Sequence, residues 1–198
     1  MKYRLTLAAC AVLLSGQMAT LPPERSPQKS ADAETTRTKP SADLLTIMKE
    51  PSLQELSKNS KVECYRFVWV RTFHHPVLVR LDVNADGSAM VTAKMTSGKG
   101  GYGVGHLTKN TTRKIRKCEI EWFLNEISED GFWELPDELP SAENVVQLDG
   151  AGWTLEGTKS GAYHRVYRWS PESGPVRALG ISMLIDVAKL KLLYQEVY

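Results

Sequence analysis

Cysteine is scarce in this chain: three in 198 residues, at positions 10, 64 and 118. No C-x-x-C, H-E-x-x-H or H-x-H occurs, so the usual zinc spacings are absent. There is no G-x-S-x-G, and neither Ser160 nor Ser170 sits in a nucleophile-elbow context. The glycine-rich stretch "SGKGGYGVGH" lacks a G-K-[ST] ending and precedes a strand, so it is not a phosphate cradle. Charge of one sign is also lacking. The formal net charge is +2, and removal of residues 1–19, which hold Lys2 and Arg4 and no acid, brings it to zero. Such a chain has no electrostatic bias towards nucleic acid or anionic lipid.

Long hydrophobic runs are missing as well. The longest lies near the start, where Leu5 to Leu14 follow the basic Met1-Lys2-Tyr3-Arg4. Ten apolar residues are too few to span a bilayer and suit the h-region of a secretory signal. Residues 1–19 are therefore expected to be a signal peptide, with Ala19 before the cut. "LAAC", ending at Cys10, has the residue types of a bacterial lipobox, but only nine residues precede Cys10. Simple cleavage is the expectation, and a lipid anchor at Cys10 the alternative. The setting is the periplasm or the exterior, with no membrane-spanning segment in the mature chain. In such an oxidising compartment Cys64 and Cys118 are expected to pair. That bridge closes a loop of roughly 55 residues, worth about 3–4 kcal/mol.

Residues 20–40 are rich in Pro, Ser, Thr and charge and are expected to be a disordered linker. Residues 41–60 read as short helical pieces, with Ser41 as a cap and Pro51 as a break. Residues 61–198 are expected to form one α+β domain. "VECYRFVWVRTF" alternates as a strand, with Tyr65, Phe67, Trp69 and Arg71 on one face and Cys64, Arg66, Val68 and Val70 on the other. "HHPVLVRLDV", "SAMVTAKM" and "GYGVGHLTKN" follow as strands. The period then becomes helical: Ile120, Phe123, Leu124 and Ile127 share a face, and Gly131 stops the run. "AGWTLEG" and "AYHRVYRWSP" form a hairpin. Val176, Leu179, Met183, Leu184, Val187 and Leu190 mark a last helix. The order predicts an antiparallel sheet built from hairpins, with two main helices packed on one face.

The sharpest chemical motif is "DVNADG". Asp82, Asn84 and Asp86 with Gly87 match the first half of a calcium loop, but position 12 is Ala93, where a bidentate Glu belongs. Asp-Gly between alternating apolar runs is a hairpin turn signal, and a turn is the preferred reading. His74 and His75 are adjacent and point to opposite faces of any strand. In the last hairpin the expected register sets Leu155 opposite His164 and Trp153 opposite Val166. Arg168 then shares the His164 face, while Glu156, Tyr163, Arg165, Tyr167 and Trp169 share the other. Glu119, Glu121, Glu126 and Glu129 read as a solvated helix face. The basic residues Lys109, Arg113, Lys114, Arg116 and Lys117 read as a solvated strand end.

At "CYRFVWVRTFHHPVLVRL", "GFWELP", "LDGAGWTLEG" and "YHRVYRWSP" the chain resembles a set of uncharacterised exported bacterial proteins, over about residues 62–185. The resemblance implies a bacterial envelope setting and the strand–helix–hairpin order. It implies no activity. Asp149-Gly150 and Tyr163-His164 through Trp169-Ser170-Pro171 are its most distinctive positions.

Two functions follow as expectations. One is an exported, non-enzymatic binding protein, such as an inhibitor or immunity factor with an envelope protein as partner and no cofactor. Tyr163, Arg165, Tyr167, Arg168 and Trp169 would form its contact surface, since Tyr, Trp and Arg dominate binding hot spots. The other is a small periplasmic hydrolase using His164 and His75, with Glu156 and Arg168 nearby.

Overall fold

A computed structural model describes residues 42–139, 149–192 and 197–198. The expected signal peptide, Cys10, the linker and the Ser41 cap lie outside the described residues.

Six strands form one antiparallel sheet: β1 (Glu63–Arg71), β2 (Val77–Val83), β3 (Ala89–Thr96), β4 (Leu107–Ile115), β5 (Ala151–Lys159) and β6 (Ala162–Trp169). Their spatial order is β4-β3-β2-β1-β5-β6. A four-strand meander therefore spreads to one side of β1 and the last hairpin to the other. Two short helices, α1 (Ala42–Ile47) and α2 (Leu53–Leu56), precede the sheet. α3 (Lys117–Glu129) follows β4 and is stopped at Gly131. α4 (Pro175–Ile181) follows β6 and runs into a π-helical turn, Ser182–Val187. The fold is α+β, as the sequence order predicts. The last helical stretch ends before Leu190, which packs against the core from outside it. No helix among the described residues is long and apolar enough to cross a membrane.

Strand alternation divides the interior in two. Tyr65, Phe67 and Trp69 of β1 join Val79, Trp153 and Leu155 under α3, α4 and the π turn, forming the main core. Val68 and Leu78 face the other way and meet Leu44 and Met48 of the α1 segment. Burial of these side chains contributes about 1.5–3 kcal/mol each.

The same alternation sets the two expected disulfide partners apart. Cys64 points to the α1 side, where it is buried beside Asp82, whereas Cys118 is exposed near the start of α3. The two thiols stand in different layers and both are free. Burial, reinforced by Asp82, pushes the Cys64 thiol far above its ordinary range.

"NADGS" is a turn. Gly87 N donates to Asn84 O at 2.9 Å, and Asn84 N to Ser88 O at 2.7 Å. The three candidate calcium ligands are otherwise engaged. Asp86 Oδ1 accepts from Ser88 N and Ser88 Oγ at 2.9 and 2.6 Å, Asn84 Nδ2 donates to Ser88 Oγ, and Asp82 pairs with Arg80 at 3.0 Å.

The last hairpin differs from expectation by two residues. Val166 faces Leu155, Arg168 faces Trp153, and His164 faces Gly157. The cause is the loop: Ser160 and Gly161 both take positive φ, 53° and 86°, which closes a two-residue turn at Lys159 and Ala162. Glycine adopts that geometry without Cβ strain. An even slip preserves faces, so the expected division of side chains holds. β4 also starts later than expected, at Leu107. Residues 97–106 are a loop, and a Cβ on Gly98 would stand 1.9 Å from Gly103 O, so the loop closes only around glycine.

Candidate functional site

The sheet has a tight end and a loose end. Both short hairpin turns lie at the tight end. The loose end gathers residues 72–76 between β1 and β2, the 97–106 loop, and the entry to β5 at Asp149-Gly150. Phe73 and Tyr102 project there, 42% and 75% exposed, with ring centroids 6.1 Å apart. Single exposed rings are ordinary, but two adjoining ones make a small apolar patch of the kind found at interaction sites.

The backbone beneath these rings is laced together. Gly100 N donates to Arg71 O and His74 O, Gly101 N to Thr72 O, and Ser97 N to His106 O at 2.8 Å. His75 Nδ1 lies 2.8 Å from Gly98 O. A carbonyl only accepts, so His75 carries its proton on Nδ1 and ties the two loops together. Arg71 Nη2 donates to His75 O at 3.1 Å, and the Arg71 guanidinium lies 4.0 Å from the Trp69 ring centroid. His106 meets Ser97 Oγ at 3.1 Å through Nδ1. A stretch with five glycines is thus held in one shape by main-chain bonds.

His164 stands at the opposite end of the sheet from His75. It packs on Phe132 and Trp133, at ring-centroid distances of 5.1 and 6.2 Å, with Nδ1 3.7 Å from Asp137 Oδ1. Its Nε2 is buried without a hydrogen-bond partner. Glu156 is on the other sheet face, and Arg168 is spent on the carbonyls of Pro136, Asp137 and Tyr167. The four residues of the hydrolase expectation are not brought together. No family model and no curated protein matches this chain.

The expected contact surface on β6 is largely committed to the fold. Tyr163 donates its phenol to Glu156 Oε1 at 2.8 Å. Tyr167 is buried, which pushes its phenol up to about 12, helped by the Glu138 charge. Tyr167 N donates to Asp137 O at 2.7 Å, so residues 136–138 cover part of the β6 edge. Arg165 lies 3.8 Å from Glu138, and Trp169 is partly buried.

A second constellation escaped the sequence reading. Between the sheet and the α1–α2 segment, Glu50 is fully buried against three cations. Arg80 Nη1 is 2.9 Å away, Lys94 Nζ 2.5 Å and Arg66 Nη1 3.6 Å. Arg66 grips Glu156 through Nε and Nη2 at 2.8 and 2.7 Å and donates to Pro51 O at 2.7 Å. Lys94 also donates to Met48 O and Lys49 O. With Asp82 on Arg80, three cations balance three anions. Burial opposes the charge on Arg80, but Glu50 and Asp82 outweigh it and hold the guanidinium firmly protonated. Cations on carbonyls at a helix end are favourable. The cluster fastens the α1–α2 segment to the sheet.

Proposed function

We propose that this chain is an exported, non-enzymatic binding protein that engages an envelope protein through the loose end of its sheet, in the manner of an inhibitor or immunity factor. The observation that carries the reading is the Phe73–Tyr102 pair, exposed yet mounted on a hydrogen-bonded frame. A preorganised display costs little ordering entropy on association, and aromatic residues dominate interface energetics. The export half of the reading rests on the basic start and the apolar Leu5–Leu14 stretch. The hydrolase candidates His75, His164 and Glu156 are separated by the length or thickness of the sheet, so binding is favoured over catalysis.

The test is co-purification from an envelope extract with the native chain and with a Phe73→Ala/Tyr102→Ala variant. Truncation of a hot-spot ring costs about 2 kcal/mol or more. The variant should keep its melting temperature and lose a partner that the native chain retains in fixed stoichiometry. Absence of any stable partner, or equal retention by the variant, would sink the reading.

A further inference from the structure

The loose end holds a second feature, made from different residues. Trp69 and Trp153 are cross-strand partners on β1 and β5, both fully buried, with ring centroids 5.7 Å apart. An indole N–H only donates, and a buried one needs an acceptor. Here both N–H groups converge on a single oxygen, the main-chain oxygen of Tyr198, at 3.1 and 3.0 Å. Two other polar groups of that short segment are also met. His74 Nδ1 lies 2.8 Å from the Tyr198 hydroxyl, with the rings edge to face. Arg177 Nη2 donates to Val197 O at 3.4 Å, and its guanidinium sits 5.6 Å from the Trp153 ring centroid. Val197 is buried against the main core, while Tyr198 remains partly exposed.

Apolar packing alone does not require four donors and acceptors aimed at two residues. A mostly apolar pocket with a few converging polar groups is how short ligands are oriented. We propose that the paired indoles form a peptide-binding pocket whose resident occupant is the chain's own Val197–Tyr198, and whose ligand in trans is a peptide bearing an aliphatic–aromatic pair. The aromatic residue's main-chain oxygen takes both indoles, and its ring and hydroxyl take His74. The hydrogen bonds and ring contacts to Val197 and Tyr198 come from Trp69, Trp153, His74 and Arg177, not from Phe73 or Tyr102, so the inference stands apart from the function proposed above.

The experiment uses a variant lacking Val197 and Tyr198, with acetyl-Val-Tyr-amide as probe and acetyl-Val-Ala-amide as control. Indole N–H resonances of Trp69 and Trp153 and tryptophan fluorescence report occupancy. The Val-Tyr probe should shift both indole signals together and saturably, and should bind at least about tenfold more tightly than Val-Ala. The full-length chain should bind it more weakly than the shortened one, because its own segment competes. If the shortened chain does not fold, Tyr198→Ala in the full chain serves in its place. Indole signals that stay fixed in a folded variant, or equal binding by variant and native chain, overturn the pocket.

Discussion

Glu50→Ala should loosen the α1–α2 segment far more than its place in a short connection suggests. The Glu50 side chain is 0% exposed and meets Arg80, Lys94 and Arg66 within 3.6 Å. After its removal Arg66 keeps Glu156 and Arg80 keeps Asp82, but Lys94 keeps only the Met48 and Lys49 carbonyls. Breaking a buried ion pair by deleting one partner costs about 3–5 kcal/mol, because a charge is left desolvated and uncompensated. Glu50→Gln retains volume and one acceptor and should cost roughly 1.5–3 kcal/mol, the worth of a hydrogen bond to a charged group. The double change Glu50→Leu/Lys94→Met removes both charges and should recover most of the loss, since apolar replacement of a whole pair is often neutral. Denaturant unfolding gives the global values, and native-state hydrogen exchange locates the damage. A loss of about 3 kcal/mol is roughly 100-fold in an opening equilibrium, concentrated at the amides of residues 44–57. Because the pair is buried, 1 M salt should not abolish the effect. A Glu50→Ala chain within about 1 kcal/mol of the native one would refute the reasoning. So would a loss spread evenly over the sheet with no added exchange in that segment.

Two further outcomes follow. A thiol reagent should modify exposed Cys118 rapidly in the native protein and reach buried Cys64 only on unfolding; Cys118→Ser should abolish the fast phase, and recovery of a Cys64–Cys118 bridge would contradict the layer assignment. Asp86 is held below the usual carboxylate range first by the Ser88 hydroxyl and then by the Ser88 N–H. A depressed folded-state value stabilises above the unfolded value, near 4, and that stability disappears as pH falls through the folded value. Asp86→Asn should therefore melt earlier than the native chain at pH 7, with the gap closing below about pH 4; a gap independent of pH would show that charge plays no part.

Much of the fold was legible because period and turn chemistry agree with the tertiary result. β1 alternates Tyr65, Phe67 and Trp69 against Cys64, Arg66 and Val68, and the sheet uses both sets as written. Asp86-Gly87 turns where the pattern says it should. What failed was non-local. Loop length fixes register, and nothing in "EGTKSGAY" says that Ser160 will accept a positive φ, so the pairing slipped by two. The disulfide followed from compartment and count, which carry no geometry. Alternation had already placed Cys64 beside Arg66 and away from the main core, but the layer of Cys118 depends on how α3 packs. The charge cluster was hidden for a similar reason. Arg66, Arg80, Lys94 and Glu156 fall in phase on one face of four strands, which by itself reads as a wet face. Only Glu50, coming from beyond Pro51, turns that face into an interior. A run of in-phase cations beside Val68 and Leu78 was the available signal. The loose end was half legible: the glycine-rich stretch stood out in the sequence, but the pairing of Tyr102 with Phe73 joins residues 29 positions apart.

Topology explains why the exposed ring pair and the paired indoles collect at one end. One sheet face lies under α3 and α4, and the centre of the other lies under α1 and α2. The β4 edge is exposed but lined by Lys109, Arg113 and Lys114, a composition that discourages strand addition. Part of the β6 edge carries residues 136–138. The tight end holds the two short turns, one closed by Asp86 on Ser88 and the other by the positive φ of Ser160 and Gly161. A meander whose alternate connections are this short must place its longer ones at the opposite end. Those connections are free of the packing demands on the strands, while the strands beneath hold them still. Both the exposed ring pair and the Trp69–Trp153 donors sit there, one on the loops and one on the strand ends that support them. A ligand that covers Phe73 and Tyr102 therefore approaches the rim of the indole pocket through His74, which follows Phe73 in the chain and touches Tyr198.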